Sequence, residues 1–110
     1  MRHGDKLYIV ARADLLPGPR AVQAIHAAQE FVHQHPEVDL EWYEVSNHLA
    51  FLEVPDEAAL HRLVERARLK GLAVAVFREP DLDNRVTAIA LEPAAKNLCR
   101  GLPLALADAA

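Results

Sequence analysis

The sequence has one cysteine, four glycines and no long hydrophobic run, and each shortage excludes a class of protein. A single cysteine, Cys99, rules out an intramolecular disulfide and a zinc site built on several cysteines. The glycines form neither a phosphate-binding loop nor the nucleophile elbow of a serine hydrolase. No apolar run approaches the roughly 20 residues of a membrane span, and the N-terminal stretch MRHGDK is too polar and too short for a signal peptide. We therefore expect a cytoplasmic protein.

Positive charge is also scarce. The chain has 12 lysines and arginines against 16 acidic residues, and its formal net charge of -4 offers no global attraction to nucleic acid. Any RNA partner must therefore be held by a local basic patch. Hydrophobic residues make up 52% and charged residues 25%, a balance typical of a globular protein rather than a disordered one. The length fits one domain, residues 1–110, with one modest core.

Four short apolar runs, at residues 7–11, 49–54, 72–77 and 86–91, predict the strands of one sheet. Helical patterns follow the first two runs, so the order is strand, helix, strand, helix, strand, strand. Helical crossovers favour parallel neighbours, whereas the short connection between the last two strands permits an antiparallel pair. The predicted fold class is therefore α/β, with three α/β/α layers and a small mixed four-stranded sheet that has helices on its faces.

Two helices are predicted from their start signals. Pro19 suits a first helical position, where its missing N–H is not needed, and Asp56 suits the N-cap of the second helix. The second helix has a core-facing stripe made of Leu60, Leu63, Val64 and Ala67. The stretch after His35, which contains Trp42, is interpreted as a connection. The leucines of residues 97–106 are expected to cover a sheet edge or one end of the core.

The first predicted helix has two chemically different faces at about 100° per residue. The apolar face, expected to be buried, consists of Ala21, Ala24, Ile25, Ala28, Phe31 and Val32. The other side carries Arg20, Gln23, His26, Glu30 and His33. The first of these polar residues lie beside the loop after the first strand, at the edge where open α/β sheets usually bind ligands. We expect the functional site there.

Three separated pieces of the chain share their order and their motifs with one known family. Residues 10–15, then Gly18 and residues 21–27, are similar to a strand ending in Arg-x-Asp-Leu, a glycine-lysine loop and a helix with Ala-Ala-Gln-x-x-His-Ala. Residues 49–71 supply a strand, an acidic helix start and a helix. The third piece joins Arg78-Glu79, similar to an Arg-Asp pair, to residues 87–91 and Pro93. From about residue 6 to residue 106, the chain resembles the type 2 peptidyl-tRNA hydrolases, which cleave the ester joining a peptide to tRNA.

The chain also departs from that family at four places. Pro19 stands where the family has a functional loop lysine, and Glu79 replaces its aspartate. The loop at residues 80–85 is shorter than the family's Gly-Arg-Thr-Gln segment, so the functional threonine of that segment has no counterpart. Residues 100–102, Arg-Gly-Leu, replace a Gly-His-Leu pattern.

The resemblance implies a hydrolase that uses no metal and no cofactor, binds the acceptor end of peptidyl-tRNA and forms a homodimer. The residues in catalytic positions are His26, Glu79 and Arg20, and those in substrate-binding positions are Gln23, Arg12, Arg78 and Asp14. Ester hydrolysis needs an activated water and a donor for the developing oxyanion. His26 and Glu79 suit the proton transfers, while Arg20 suits a phosphate or the ester carbonyl.

Each of these residues has a structural alternative. A lone helical histidine is most often structural or solvated. Arg12 and Asp14 could form an ion pair that shapes the loop. The role of Glu79 could be limited to an ion pair with Arg78 or Arg85. The histidines outside the site, His33, His35, His48 and His61, form no recognisable metal pattern.

Two rival functions also remain open. The first is a catalytically inactive tRNA- or protein-binding module of the same fold, which the net charge and the replaced loop residues favour. The second is a structural or regulatory dimer without RNA contact. Trp42 could stack on a base, although a core or dimer role is the stronger interpretation.

Overall fold

The computed structural model describes residues 1–107 and contains the elements that the sequence predicts, with two helices added. The strands are β1 (Lys6–Arg12), β2 (His48–Val54), β3 (Val74–Glu79) and β4 (Arg85–Leu91). The helices are α1 (Pro17–Gln34), α2 (Pro36–Val45), α3 (Glu57–Leu69) and α4 (Lys96–Cys99), with short 3₁₀ turns at Pro80–Leu82 and Pro93–Ala95.

The four strands form one mixed sheet, as predicted, and their order in it is β2-β1-β4-β3. β1 is parallel to β2 and antiparallel to β4, and β3 is antiparallel to β4. The β3–β4 connection ends in Asp83 and Asn84, which both have positive φ (55° and 59°), a conformation that Asp and Asn tolerate well. The carboxyl ends of β1, β2 and β3 therefore lie beside the amino end of β4. We call this side of the sheet the carboxyl edge.

The two faces of the sheet carry two hydrophobic cores, which confirms the three-layer α/β/α class. α1 and α2 cover one face, and that core is rich in small side chains: Leu7, Ile9, Ala11, Ala24, Ala27, Phe31, Trp42, Ala75, Ala88 and Ala90. α3 and α4 cover the other face, whose core is built from larger side chains, among them Leu52, Leu60, Leu63, Val64, Ile89, Leu91 and Leu98. The alanines on the first face let α1 lie close against β4 and β3.

The predicted orientation of α1 is wrong by part of a turn. Ile25 and Val32 were expected in the core but are exposed, Ile25 to 64%. Arg20, Gln23 and Ala27 are buried instead. Because α1 packs against β4, β3 and β1, its Ile25 side faces an open groove beside the edge strand β2. Polar side chains on the buried side are tolerated because each has a hydrogen-bond partner.

α2 replaces the connection that the sequence predicted after His35. Its start follows the usual rules, with Pro36 in the first turn and Glu37 and Asp39 favoured near the helix N-terminus. Trp42 is its only buried residue, so the helix lacks the wide apolar stripe that reveals a helix in sequence. The indole N–H donates to the carbonyl oxygen of His48 at 2.8 Å, which confirms the core interpretation of Trp42.

Two further predictions are confirmed at α3 and at the end of the described chain. The Asp56 carboxylate accepts the Ala59 N–H at 3.0 Å, so Asp56 is the N-cap of α3. The segment after α4 runs along the outer edge of β2, where the Ala105 N–H donates to the Phe51 carbonyl at 2.9 Å. This segment therefore covers part of an otherwise open strand edge.

Candidate functional site

Arg12 and Asp14 form a two-pronged ion pair where β1 ends. The Nε and Nη2 atoms of Arg12 each lie 2.9 Å from a carboxylate oxygen of Asp14. These hydrogen bonds lower the pKa of Asp14 and raise the pKa of Arg12. The third nitrogen, Nη1, donates to the Val86 carbonyl oxygen of β4 at 3.3 Å. The pair therefore fixes the shape of the loop and ties it to the neighbouring strand.

A β-bulge in β4 re-aims Thr87 toward α1. Phe77 of β3 pairs with Ala88, but the next residue, Arg78, pairs with Val86, so Thr87 is the extra residue of β4. Val86 belongs to the core under α3, whereas Ala88 belongs to the core under α1. Because the two residues of a bulge point to the same side of a sheet, Thr87 turns to α1 together with Ala88.

The re-aimed Thr87 meets Gln23 in the alanine-lined layer beneath α1. Thr87 is fully buried, and its hydroxyl donates to Oε1 of Gln23 at 2.6 Å. The Gln23 amide nitrogen has no acceptor within residues 1–107. That part of the chain contains no buried side-chain nitrogen or oxygen without a partner, so this nitrogen must reach solvent. Thr87 thus holds the amide in one orientation and leaves two N–H donors available to a ligand.

Charged side chains hold the peptide groups of Val86 from two sides. Its N–H donates to Oε2 of Glu57, the first residue of α3, at 2.9 Å, and its carbonyl accepts Nη1 of Arg12. The Val86 N–H is the main reason that the pKa of Glu57 is lowered, with a smaller contribution from His61. Glu57 and Arg12 together position the residue that precedes Thr87.

Arg20 is buried rather than presented to a ligand. Its side chain is 3% exposed, and its Nη1 lies 3.1 Å from Oε1 of Glu53 on β2. Nη2 donates to the carbonyl oxygens of Ala13 and Leu15 at 2.9 and 2.7 Å, and Nε donates to Leu15 at 3.1 Å. The same Glu53 oxygen accepts the Leu106 N–H at 3.1 Å. Arg20 therefore holds the loop between β1 and α1 against β2.

His26 stacks on Phe77 above the bulge. The two rings are almost parallel, with centroids 4.3 Å apart and an interplanar angle of 8°. His26 is exposed and Phe77 is half-buried. Within residues 1–107 the imidazole makes no hydrogen bond or ion pair, so its nitrogens remain available for proton transfer.

Glu79 is the last residue of β3 and lies in register with Arg85. Its carboxylate makes no hydrogen bond or ion pair with any residue from 1 to 107, so the pairing with Arg78 or Arg85 that we considered does not form. Arg78 instead donates to the Asn84 carbonyl at 3.4 Å. A cavity of about 250 Å³ opens beside this loop, lined by Arg12, Leu15, Asp81, Leu82, Asp83 and Arg85.

The predicted residues lie on elements that meet at the carboxyl edge. Arg12 and Asp14 follow the end of β1, Arg78 and Glu79 end β3, and Gln23 and His26 lie on α1 against β4 and β3. Arg20 supports the loop between β1 and α1. Sequence analysis missed Thr87, Glu57 and Phe77. Thr87 had a recognisable signal, because it is the one hydroxyl in an otherwise apolar strand.

Other chemistries find little support in the described chain. Residues 1–107 contain no group of three or more side chains that could hold a metal ion. Burial raises the pKa of the Cys99 thiol to about 11, so it is a poor nucleophile at neutral pH. No helix between residues 1 and 107 combines the length and the apolar character needed to cross a membrane.

The family model described as peptidyl-tRNA hydrolase PTH2 matches residues 5–103, a range that contains every predicted site residue. A solved structure of a protein of unknown function from Agrobacterium tumefaciens is similar in fold, with a TM-score of 0.65. The two chains are 15% identical, and the match covers 90% of this chain and 96% of the other. At that identity, the likeness concerns the fold alone.

Proposed function

Because the chain belongs to the type 2 peptidyl-tRNA hydrolase family, we propose that it hydrolyses the ester between a peptide, or an N-blocked amino acid, and tRNA in the cytoplasm. The observation that carries the proposal is the buried Thr87–Gln23 hydrogen bond at the carboxyl edge. Burying a hydroxyl and an amide among alanines is unfavourable without such a partner. The pair fixes an amide donor on α1, while the Glu79 carboxylate at the end of β3 has no partner within residues 1–107.

The roles follow from what each side chain can donate or accept. Glu79 removes a proton from water, whose oxygen attacks the ester carbonyl carbon. The amide N–H groups of Gln23 donate to the developing oxyanion. His26 donates a proton to the ribose oxygen as the bond between that oxygen and the acyl carbon breaks. The products are a peptide with a free carboxyl group and a tRNA with a free terminal hydroxyl.

Substrate binding is assigned to the arginines at the carboxyl edge. Arg78 and Arg85 are exposed and can contact phosphates of the acceptor end. Arg12 lines the neighbouring cavity and binds the substrate from there, while Asp14 holds the Arg12 guanidinium in place. Arg20, which the sequence placed among the catalytic residues, is assigned here to the support of the loop.

The test is release of the N-acetylated amino acid from N-acetyl-aminoacyl-tRNA by wild-type protein and by Glu79→Gln. General acid–base groups contribute about 10²- to 10⁴-fold to rates, so we expect kcat to fall at least 100-fold in Glu79→Gln. The matched control is Glu65→Gln, an exposed position on α3. Release should persist with a chelator present. Equal rates for wild type and Glu79→Gln would remove Glu79 from the mechanism.

A catalytically inactive tRNA-binding module is the second candidate. It is favoured by Pro19 in place of the family's loop lysine and by the commitment of Arg20 to the loop. If folded wild-type protein bound tRNA with an affinity that fell steeply with salt but released no amino acid, this candidate would replace the hydrolase.

We also propose that the protein works as a homodimer, as the family resemblance implies. The surface that favours this is the groove between α1 and β2, an open apolar cavity of about 330 Å³ whose lining includes Ile9, Ala21, Ile25, Ala28, Leu49 and Phe51. Ile25→Asp should convert a dimer to a monomer in size-exclusion chromatography with light scattering. A wild-type monomer at all concentrations would exclude the dimer.

A further inference from the structure

The stacked rings of His26 and Phe77 form a flat aromatic surface that the hydrolytic roles do not use. Phe77 lies on the edge strand β3, on the face that α1 covers. One face of the imidazole is covered by the Phe77 ring at 4.3 Å. His26 is nevertheless exposed, and no second ring meets it within residues 1–107, so part of the imidazole surface is accessible to a ligand.

An accessible aromatic stack at the carboxyl edge, where exposed arginines also lie, suits a nucleobase. Every base has a π-face, and bases stack on aromatic side chains with a free energy of about 1–3 kcal/mol per base. Arg78 follows Phe77 directly in the chain and is exposed. Successive side chains of a strand point to opposite faces, so its guanidinium can contact the neighbouring phosphate around the end of the sheet. A purely apolar ligand would not need that cation.

The position of the stack selects one base. Glu79 lies two residues beyond Phe77 on the same strand. If Glu79 activates the attacking water, the ribose that carries the ester must sit beside it, and the base on that ribose is the one within reach of the stack. Proton transfer uses the nitrogens on the edge of the imidazole, whereas stacking uses its face, so His26 can serve in both ways.

We propose that His26 and Phe77 form a stacking subsite for the base of the 3′-terminal nucleotide, the one whose ribose bears the ester. The proposal rests on the proposed function for the identity of the ligand. It assigns Phe77 a role in substrate recognition that the sequence did not predict. Binding of the terminal base would also orient the ester bond toward Glu79 and Gln23.

The experiment measures binding without hydrolysis. A short RNA hairpin ends in 2-aminopurine and carries an N-acetylated amino acid through an amide in place of the ester. Stacking quenches 2-aminopurine, so fluorescence should fall when wild-type protein binds. Phe77→Leu keeps an apolar side chain but removes the ring, and we expect it to abolish the quench and raise Kd by about 5- to 150-fold. Tyr43→Leu, which removes an exposed ring on α2 away from the stack, is the control and should behave as wild type.

If Phe77→Leu does not fold, two variants of His26 test the same stack: His26→Ala and His26→Phe. His26 is an exposed helix position, so both changes should be tolerated. His26→Ala should lose the quench, whereas His26→Phe should keep it because the aromatic face remains. Binding without a quench in wild type, or an unchanged quench in Phe77→Leu or His26→Ala, would overturn the subsite.

The release assay separates this proposal from the proposed function. A quench in wild type that disappears in Phe77→Leu, together with no release of the amino acid, would support the subsite on a binding module. Release from the ester substrate with no quench would support the hydrolase and reject the subsite.

Discussion

Replacing Arg20 should unfold the protein far more than it should slow the chemistry. Its guanidinium is buried and donates to Glu53 and to the carbonyl oxygens of Ala13 and Leu15. Removing one partner of a buried ion pair typically costs about 3–5 kcal/mol. That loss is a large share of the roughly 5–15 kcal/mol by which a domain is stable, so Arg20→Met should lower the melting temperature by more than about 10 °C.

The assay is urea unfolding followed by circular dichroism, with kcat measured under conditions where each variant remains folded. Arg20→Lys keeps the charge but cannot reproduce the planar fork of donors, so its stability should lie between those of wild type and Arg20→Met. Arg68→Met is the matched control, because Arg68 is exposed on α3 and should change stability by about 0.5 kcal/mol or less. If Arg20→Met unfolded at the same urea concentration as wild type while kcat collapsed, Arg20 would be a catalytic residue and our structural argument would be wrong.

Two further changes test the start of β4. Wild type should be more stable than Glu57→Gln at pH 7, because the folded pKa of Glu57 is lowered chiefly by the Val86 N–H; this advantage should shrink as the pH falls from the ordinary glutamate pKa of about 4.3 through the folded value. Urea unfolding between pH 3 and pH 7 measures it, and a constant difference would contradict the assignment. Thr87→Val should cost about 1–3 kcal/mol by leaving Oε1 of Gln23 without its donor, and kcat should fall about tenfold or more because the amide loses its fixed orientation. Thr87→Ser keeps the hydroxyl and should retain most of the stability and most of kcat. Full activity in Thr87→Val would contradict the role of Gln23.

The fold was largely predictable because its signals are local. The strands are short apolar runs, and the stripe Leu60, Leu63, Val64 and Ala67 has the helical period and is buried as expected. α2 was not predictable in this way, since a single tryptophan anchors it. Its start signals, a proline followed by acidic residues, were present in the sequence but no apolar stripe accompanied them.

The orientation of α1 shows where periodicity stops being informative. Ile25 and Val32 are more apolar than Gln23 and Arg20, so a ranking by hydrophobicity alone predicts that they face the core. In the folded chain, the sheet beneath α1 offers alanines, a threonine hydroxyl and loop carbonyls. That surface accommodates long polar side chains and offers them hydrogen-bond partners. The sequence of α1 alone does not show what the facing surface contains.

The candidate site depends on a feature with no signature in the sequence. Residues 86–91 read as one apolar run, and strict alternation from Ala88 would place Thr87 under α3 and Val86 under α1. The bulge opposite Phe77 and Arg78 reverses both assignments. It places Val86 in the core under α3 and brings the Thr87 hydroxyl to Gln23. Because Glu57 and Arg12 hold the Val86 peptide from outside the strand, the site is built by contacts between segments far apart in the chain, and only the folded structure shows them.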